Sequence, residues 1–120
     1  MIIKKGCNFD CDYDQQNKSL RITLRGEIDH HSAVAVRSQI DEKLYEFRPK
    51  LATMDLSKID FMDSSGLGLI MGRYALMQKL GGDFCIANPA DRVMKIFELA
   101  GMGRIIKVEK KSDDEGDDRK

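Results

Sequence analysis

Leu20, Ile22 and Leu24 alternate with Arg21, Thr23 and Arg25, and a period of two is the mark of a strand with one buried face. Gly26 is the expected stop of that strand. The segment before it, Cys7 to Tyr13, is short and mixed; it reads as an edge strand, turned back through Asp14-Gln15-Gln16-Asn17. Past Gly26 the period lengthens. Asp29 carries the side chain of a helix N-cap, and Ala33, Val36, Ile40, Leu44 and Phe47 follow at spacings of three and four. They form one apolar stripe, with Arg37, Asp41, Glu42 and Lys43 on the remaining surface. Pro49 marks the end of this helix.

The second half repeats the change of period. Leu51 to Leu56 predicts a short buried strand, Ser57 to Phe61 a loop, and Asp63-Ser64-Ser65-Gly66 the start of a second helix reaching about Leu80. Gly81-Gly82 ends it. Phe84 to Ala87 is a further strand, Asn88-Pro89 a turn, and Val93, Ile96, Phe97 and Ala100 a short amphipathic helix stopped by Gly101. Ile105 to Val108 closes the series as a last strand. The order β-β-α-β-α-β-α-β predicts an α/β fold. Its mixed β-sheet, flanked by α-helices, is parallel except for the first hairpin. Residues 1–109 make one domain, and the charged stretch 110–120, which holds no apolar residue, is expected to be a disordered tail.

The second helix is apolar on two sides. At roughly 100° per residue, Leu67, Ile70, Met71 and Tyr74 share one face, while Leu69, Leu76 and Leu80 lie opposite with Arg73 among them. Such a helix sits between two layers or offers one side to a partner. In a two-layer domain of 120 residues the second arrangement is the expectation. Leu69 is therefore assigned to a partner surface, and Leu69→Lys is expected to weaken partner binding at little cost in stability.

Composition narrows the function. Twenty basic and twenty acidic residues give a formal net charge of zero, so there is no general pull toward nucleic acid or anionic lipid. No apolar run approaches the ~20 residues that span a bilayer, and the N-terminal residues lack the apolar stretch of a signal peptide. The cytoplasm is the expected location. Cys7, Cys11 and Cys85 are odd in number and form no framework. Cys7 and Cys11 share a strand face without a nearby histidine or third thiol, so all three are read as reduced structural thiols and no metal site is expected.

Catalytic patterns are missing too. Neither Ser64 nor Ser65 stands in a G-x-S-x-G elbow. His30 and His31 are adjacent at a helix start and point apart. Gly66, Gly68 and Gly72 weakly resemble a dinucleotide fingerprint, which leaves a small nucleotide-binding domain as the alternative. Saturable binding of nucleotide by the isolated protein would favour it.

Three blocks carry a resemblance to a known family. Gly26-Glu27-Ile28-Asp29-His30-His31-Ser32-Ala33, then Phe61-Met62-Asp63-Ser64-Ser65-Gly66-Leu67-Gly68, then Gly72-Arg73-Tyr74 resemble the anti-sigma factor antagonists of the STAS family, closest to their sporulation branch. The similarity runs from about residue 5 to residue 108. It implies a non-enzymatic protein, monomeric when free, that binds an anti-sigma factor serine kinase and so releases a sigma factor. It implies that the kinase phosphorylates Ser64, that the modified form lets go, and that a serine phosphatase restores it. ATP and ADP then belong to the kinase, and this chain needs no cofactor. Together with the helix-face assignment, the resemblance makes Asp29, Asp63, Ser64, Ser65, Gly66, Gly68 and Leu69 the expected partner-binding set.

Overall fold

In the computed structural model, residues 7–110 are described. The elements run β1 (Cys7–Asp14), β2 (Ser19–Ile28), α1 (His30–Phe47), β3 (Leu51–Met62), α2 (Ser64–Lys79), β4 (Asp83–Ala87), α3 (Asp91–Leu99) and β5 (Lys107–Glu109), with a 3-10 turn at Met102–Arg104 before β5. The strands lie in chain order, β1 to β5, in one sheet. β1 and β2 are antiparallel and the other three pairs parallel. Parallel neighbours cannot be joined by a tight turn, and α1, α2 and α3 supply the crossovers. The expected α/β architecture is thus the observed one.

Local chemistry sets the boundaries. The Asp14 carboxylate accepts from the amides of Gln16 (3.0 Å) and Asn17 (3.2 Å) and folds the hairpin turn. At α1, the Asp29 carboxylate accepts from Ser32 N and the Asp29 amide donates to Ser32 Oγ, both at 2.9 Å, a reciprocal capping box. Arg48, in the left-handed region at φ 43°, ends that helix ahead of Pro49.

The core lies between the sheet and the helices. Leu20, Ile22, Leu24 and Ile28 of β2 meet Ile40 and Leu44 of α1, Met54 and Leu56 of β3, Ile70 and Met77 of α2, and Phe97 of α3, all fully buried. The opposite face of the sheet is polar. Arg21 pairs with Asp55 at 2.7 Å, Arg25 pairs with Asp10, and Thr53 Oγ1 and Cys85 Sγ share a hydrogen bond of 3.3 Å. Burial opposes ionisation of Asp55, but the Ser57 amide, the Ser57 side chain and the Arg21 guanidinium outweigh it and hold the carboxyl below its usual range.

Three expectations change. Gly26 does not stop β2. It takes φ 103° inside the strand, where the pairing with β3 slips between Thr23 and Arg25 and again between Gly26 and Glu27. The expected loop from Ser57 to Phe61 is strand, for β3 continues to Met62. The irregularity explains both: extra residues break the two-residue alternation, leaving Ile59 and Met62 buried three positions apart. At the C-terminal end, β5 begins only at Lys107; Ile105 and Ile106 precede it, with Ile106 in the core. The expected tail falls, apart from Lys110, outside the described residues, as do residues 1–6. Among the described residues, no helix is long and apolar enough to cross a membrane.

Candidate functional site

β2 and β3 are parallel neighbours that finish together, Ile28 beside Met62. The next residue in each case is an aspartate in extended backbone that caps a helix: Asp29 for α1 and Asp63 for α2. The Asp63 amide donates to the Ile28 carbonyl at 3.1 Å and ties the two starts together. Two helix N-termini therefore stand side by side at the same end of the sheet. Each presents free amides and the positive end of its dipole.

Asp63 Oδ1 accepts from Ser65 N at 2.8 Å, which fixes the first turn of α2. Ser64, the first residue of that turn, is exposed, and its side chain makes no hydrogen bond among the described residues. Ser65 is half-buried. Asp29 is partly exposed; the Ser32 amide above all, against some desolvation, keeps its carboxyl ionised to a lower pH than usual. The expected neighbourhood of Asp29, Asp63, Ser64 and Ser65 is thus brought together.

The two glycines of the motif part company. Gly66 is buried, and a Cβ there would stand 2.3 Å from Met62 Cγ and 2.5 Å from its Sδ. Glycine leaves the room that Met62, delivered by β3 beneath the first turn of α2, occupies. This corrects the assignment of Gly66 to an exposed partner surface. Gly66→Ala is expected to destabilise the domain by about 1–3 kcal/mol through overpacking. A thermal melt should show a midpoint lowered by at least about 4 °C, and an unchanged melt would mean that Met62 moves aside freely. Gly68 is the opposite case: it is exposed, and a Cβ would meet nothing within 4 Å. It borders a cleft of about 290 Å³ between α1 and α2, with His30, Ala33, Val34, Arg37, Ser65 and Leu69 around it.

Leu69 is not on an open face. It is 3% exposed and belongs to the core. α1 packs alongside α2, so one apolar side of α2 faces the sheet and the other faces α1. The two-sided pattern has an internal cause, and the partner assignment of Leu69 is corrected accordingly. Arg73, on the same side, is buried against Asp41 of α1.

His30 and His31 are exposed at the start of α1. Cys7 and Cys11 sit on the half-buried side of β1 with Phe9 and Tyr13, and desolvation pushes the Cys7 thiol up to about 11. Among the described residues, no group of three or more His, Cys, Asp or Glu is placed to hold a metal ion. A glycine-rich phosphate loop has no room here, because Asp63 alone connects β3 to α2, and this runs against the nucleotide alternative. Sequence patterns missed Val34 and Phe61, both 47% exposed near the site. Val34 stands off the apolar stripe of α1, which was the signal available. Phe61 was hidden in the supposed loop.

The chain matches the STAS domain over residues 11–115. It is 32% identical over 101 residues to an anti-sigma F factor antagonist of Paenibacillus polymyxa, covering 84% of this chain and 86% of that protein. An anti-sigma-B factor antagonist of Bacillus subtilis is 31% identical over 108 residues, 88% of this chain and 95% of the relative. Among solved structures, the anti-sigma factor antagonist SpoIIAA in its unphosphorylated form superposes with a TM-score of 0.73 at 27% identity, over 90% of this chain and 91% of that one. The phosphorylated form of the Bacillus cell fate determinant SpoIIAA gives 0.67 at 26% identity, over 90% and 95%.

Proposed function

The chain belongs to the STAS domain family, and from that membership we propose that it is a cytoplasmic anti-sigma factor antagonist switched by phosphorylation of Ser64. Unphosphorylated, it binds an anti-sigma factor that is also a serine kinase, and the sigma factor held there is released. The kinase, using its own ATP, transfers a phosphoryl group to Ser64; a serine phosphatase removes it. This chain contributes a surface and an acceptor hydroxyl, and no catalytic group.

The observation that carries the proposal is the exposed, unengaged Ser64 at the N-terminus of α2, set beside a second N-cap at Asp29. A kinase can reach that hydroxyl without unfolding anything. A phosphate adds about −1.5 to −2 charges at pH 7. Helix amides and dipole favour such charge at this end, while Asp63 and Asp29 oppose it, so the fold is little perturbed. In a desolvated interface the same charge is costly unless the partner supplies a cation. Relatives bear the name of anti-sigma factor antagonists, and a structural neighbour has a phosphorylated form.

Within the expected set, Asp29, Ser64, Ser65 and Gly68 offer surface, while Asp63 acts as the cap that shapes it. Gly68 supplies an independent test. Glycine inside a helix costs about 1 kcal/mol against alanine, and nothing in this fold occupies the space a methyl would take. A glycine with no internal use, open at a cleft bordered by Ser65 and about one turn along α2 from Ser64, suits close approach by a partner. Gly68→Ala is expected to raise the thermal midpoint by several degrees and to weaken binding of the anti-sigma factor by about tenfold, a loss of ~1.4 kcal/mol. Calorimetric titration of the unphosphorylated protein into its anti-sigma factor tests the whole proposal: saturable binding is expected, and none at micromolar concentrations contradicts it.

A further inference from the structure

Arg73 is a buried charged side chain between α1 and α2 that the switch does not use. It is 6% exposed and reaches from α2 to Asp41 of α1, its Nε 2.7 Å from Oδ1. Nη2 donates to Oδ2 and Nη1 to the Leu69 carbonyl, both at 3.4 Å. We propose that the Asp41–Arg73 ion pair is a positioning contact that holds α1 against α2 and so sets the spacing between the Asp29 and Ser64 ends presented to the partner. The inference rests on the functional reading above for its partner, but not for its geometry.

At 1.5 Å per residue, Asp41 lies roughly 18 Å along α1 from its cap, and Arg73 roughly 15 Å along α2 from its own. Near the other end, the Asp63–Ile28 hydrogen bond joins the two helix starts. Between these two ties the helices leave the cleft bordered by Gly68. A pair of helices tied at one point can pivot; two ties along their length fix the angle.

The pair is a poor device for stability. The close Nε–Oδ1 approach is bent, so neither atom has an aligned hydrogen-bond partner among the described residues. The remaining contacts are long, and Arg37 lies near enough to repel the same guanidinium. A largely buried pair of such geometry, with Asp41 still partly exposed, returns little beyond its desolvation, and apolar residues of similar volume commonly replace one without loss. What apolar residues do not replace is a directional contact between two particular positions.

The test is the double variant Asp41→Leu/Arg73→Met, compared with wild type by thermal melting, by hydrogen exchange at the Ser32 and Ser65 amides, and by titration with the anti-sigma kinase. Expected are a midpoint within a few degrees of wild type, cap amides exchanging at least about tenfold faster, and affinity reduced about tenfold. Arg73→Lys, which keeps the charge, should restore most of that affinity. Wild-type exchange and affinity in a folded double variant overturn the proposal. Should the double variant not fold, Asp41→Asn answers the same question: faster cap exchange supports the proposal and unchanged exchange overturns it. If wild type itself binds no anti-sigma kinase, the functional reading fails, while the exchange arm still decides the positioning role.

Discussion

Ser64→Asp is expected to lose at least about tenfold in affinity for the anti-sigma kinase while remaining as stable as wild type. The substitution places one negative charge at the first position of α2. There the helix dipole favours it by about 0.3–1 kcal/mol, and the carboxylates of Asp63 and Asp29 offset part of that gain. Stability should barely move. At the interface the balance is different, because an unpaired charge taken out of water costs several kcal/mol and each ~1.4 kcal/mol is a factor of ten in affinity. Ser64→Ala removes only a hydroxyl that serves nothing within the described residues. It should therefore bind, release the sigma factor, and resist being switched off. Calorimetric titration of both variants separates them. Wild-type affinity for Ser64→Asp, with amide shifts spread far from α1 and α2, would mean a global rearrangement in place of a local one.

The second large effect is in the core. Leu69→Lys is expected to destabilise the domain severely, and to weaken partner binding only as a consequence of unfolding. Removing a buried leucine side chain alone costs about 2–5 kcal/mol, out of a total stability for a small domain of about 5–15 kcal/mol. The lysine ammonium would enter beside Arg37 at the cleft and within one helical turn of Arg73, which already lies buried, so repulsion adds to desolvation. A thermal midpoint lowered by at least roughly 10 °C is expected. Leu69→Ala, which introduces no charge, should show the smaller part of the loss. A midpoint within a few degrees of wild type for Leu69→Lys would restore the open face that the helix pattern by itself suggested.

Leu69 also shows where a sequence stops informing. Alternation in β2, the single stripe of α1 and the caps at Asp29 and Asp63 are local signals. Each survived because its cause lies within a few residues. The two apolar sides of α2 were equally visible, but which neighbour covers the second side depends on where α1 comes to rest. Gly66 and Gly68 look alike in the motif and differ only because β3 brings Met62 under the first of them. The extension of β3 was concealed by a slip in register near Gly26, which turns an alternating pattern into one that reads as loop. Asp41 and Arg73, 32 residues apart, carry no mark of their pairing. Ser64 was legible through the resemblance of three motif blocks, and the fold adds what they lack: two helix starts joined at one end of the sheet, with that serine exposed.

Incubating the protein with its anti-sigma kinase and ATP, followed by intact mass and peptide mapping, tests the central claim most directly. One added phosphate, located on Ser64 and accompanied by loss of kinase binding, is the predicted result. A phosphate on Ser65, whose amide is held by the Asp63 cap, would contradict the account, as would two sites or a singly phosphorylated form that still binds the kinase.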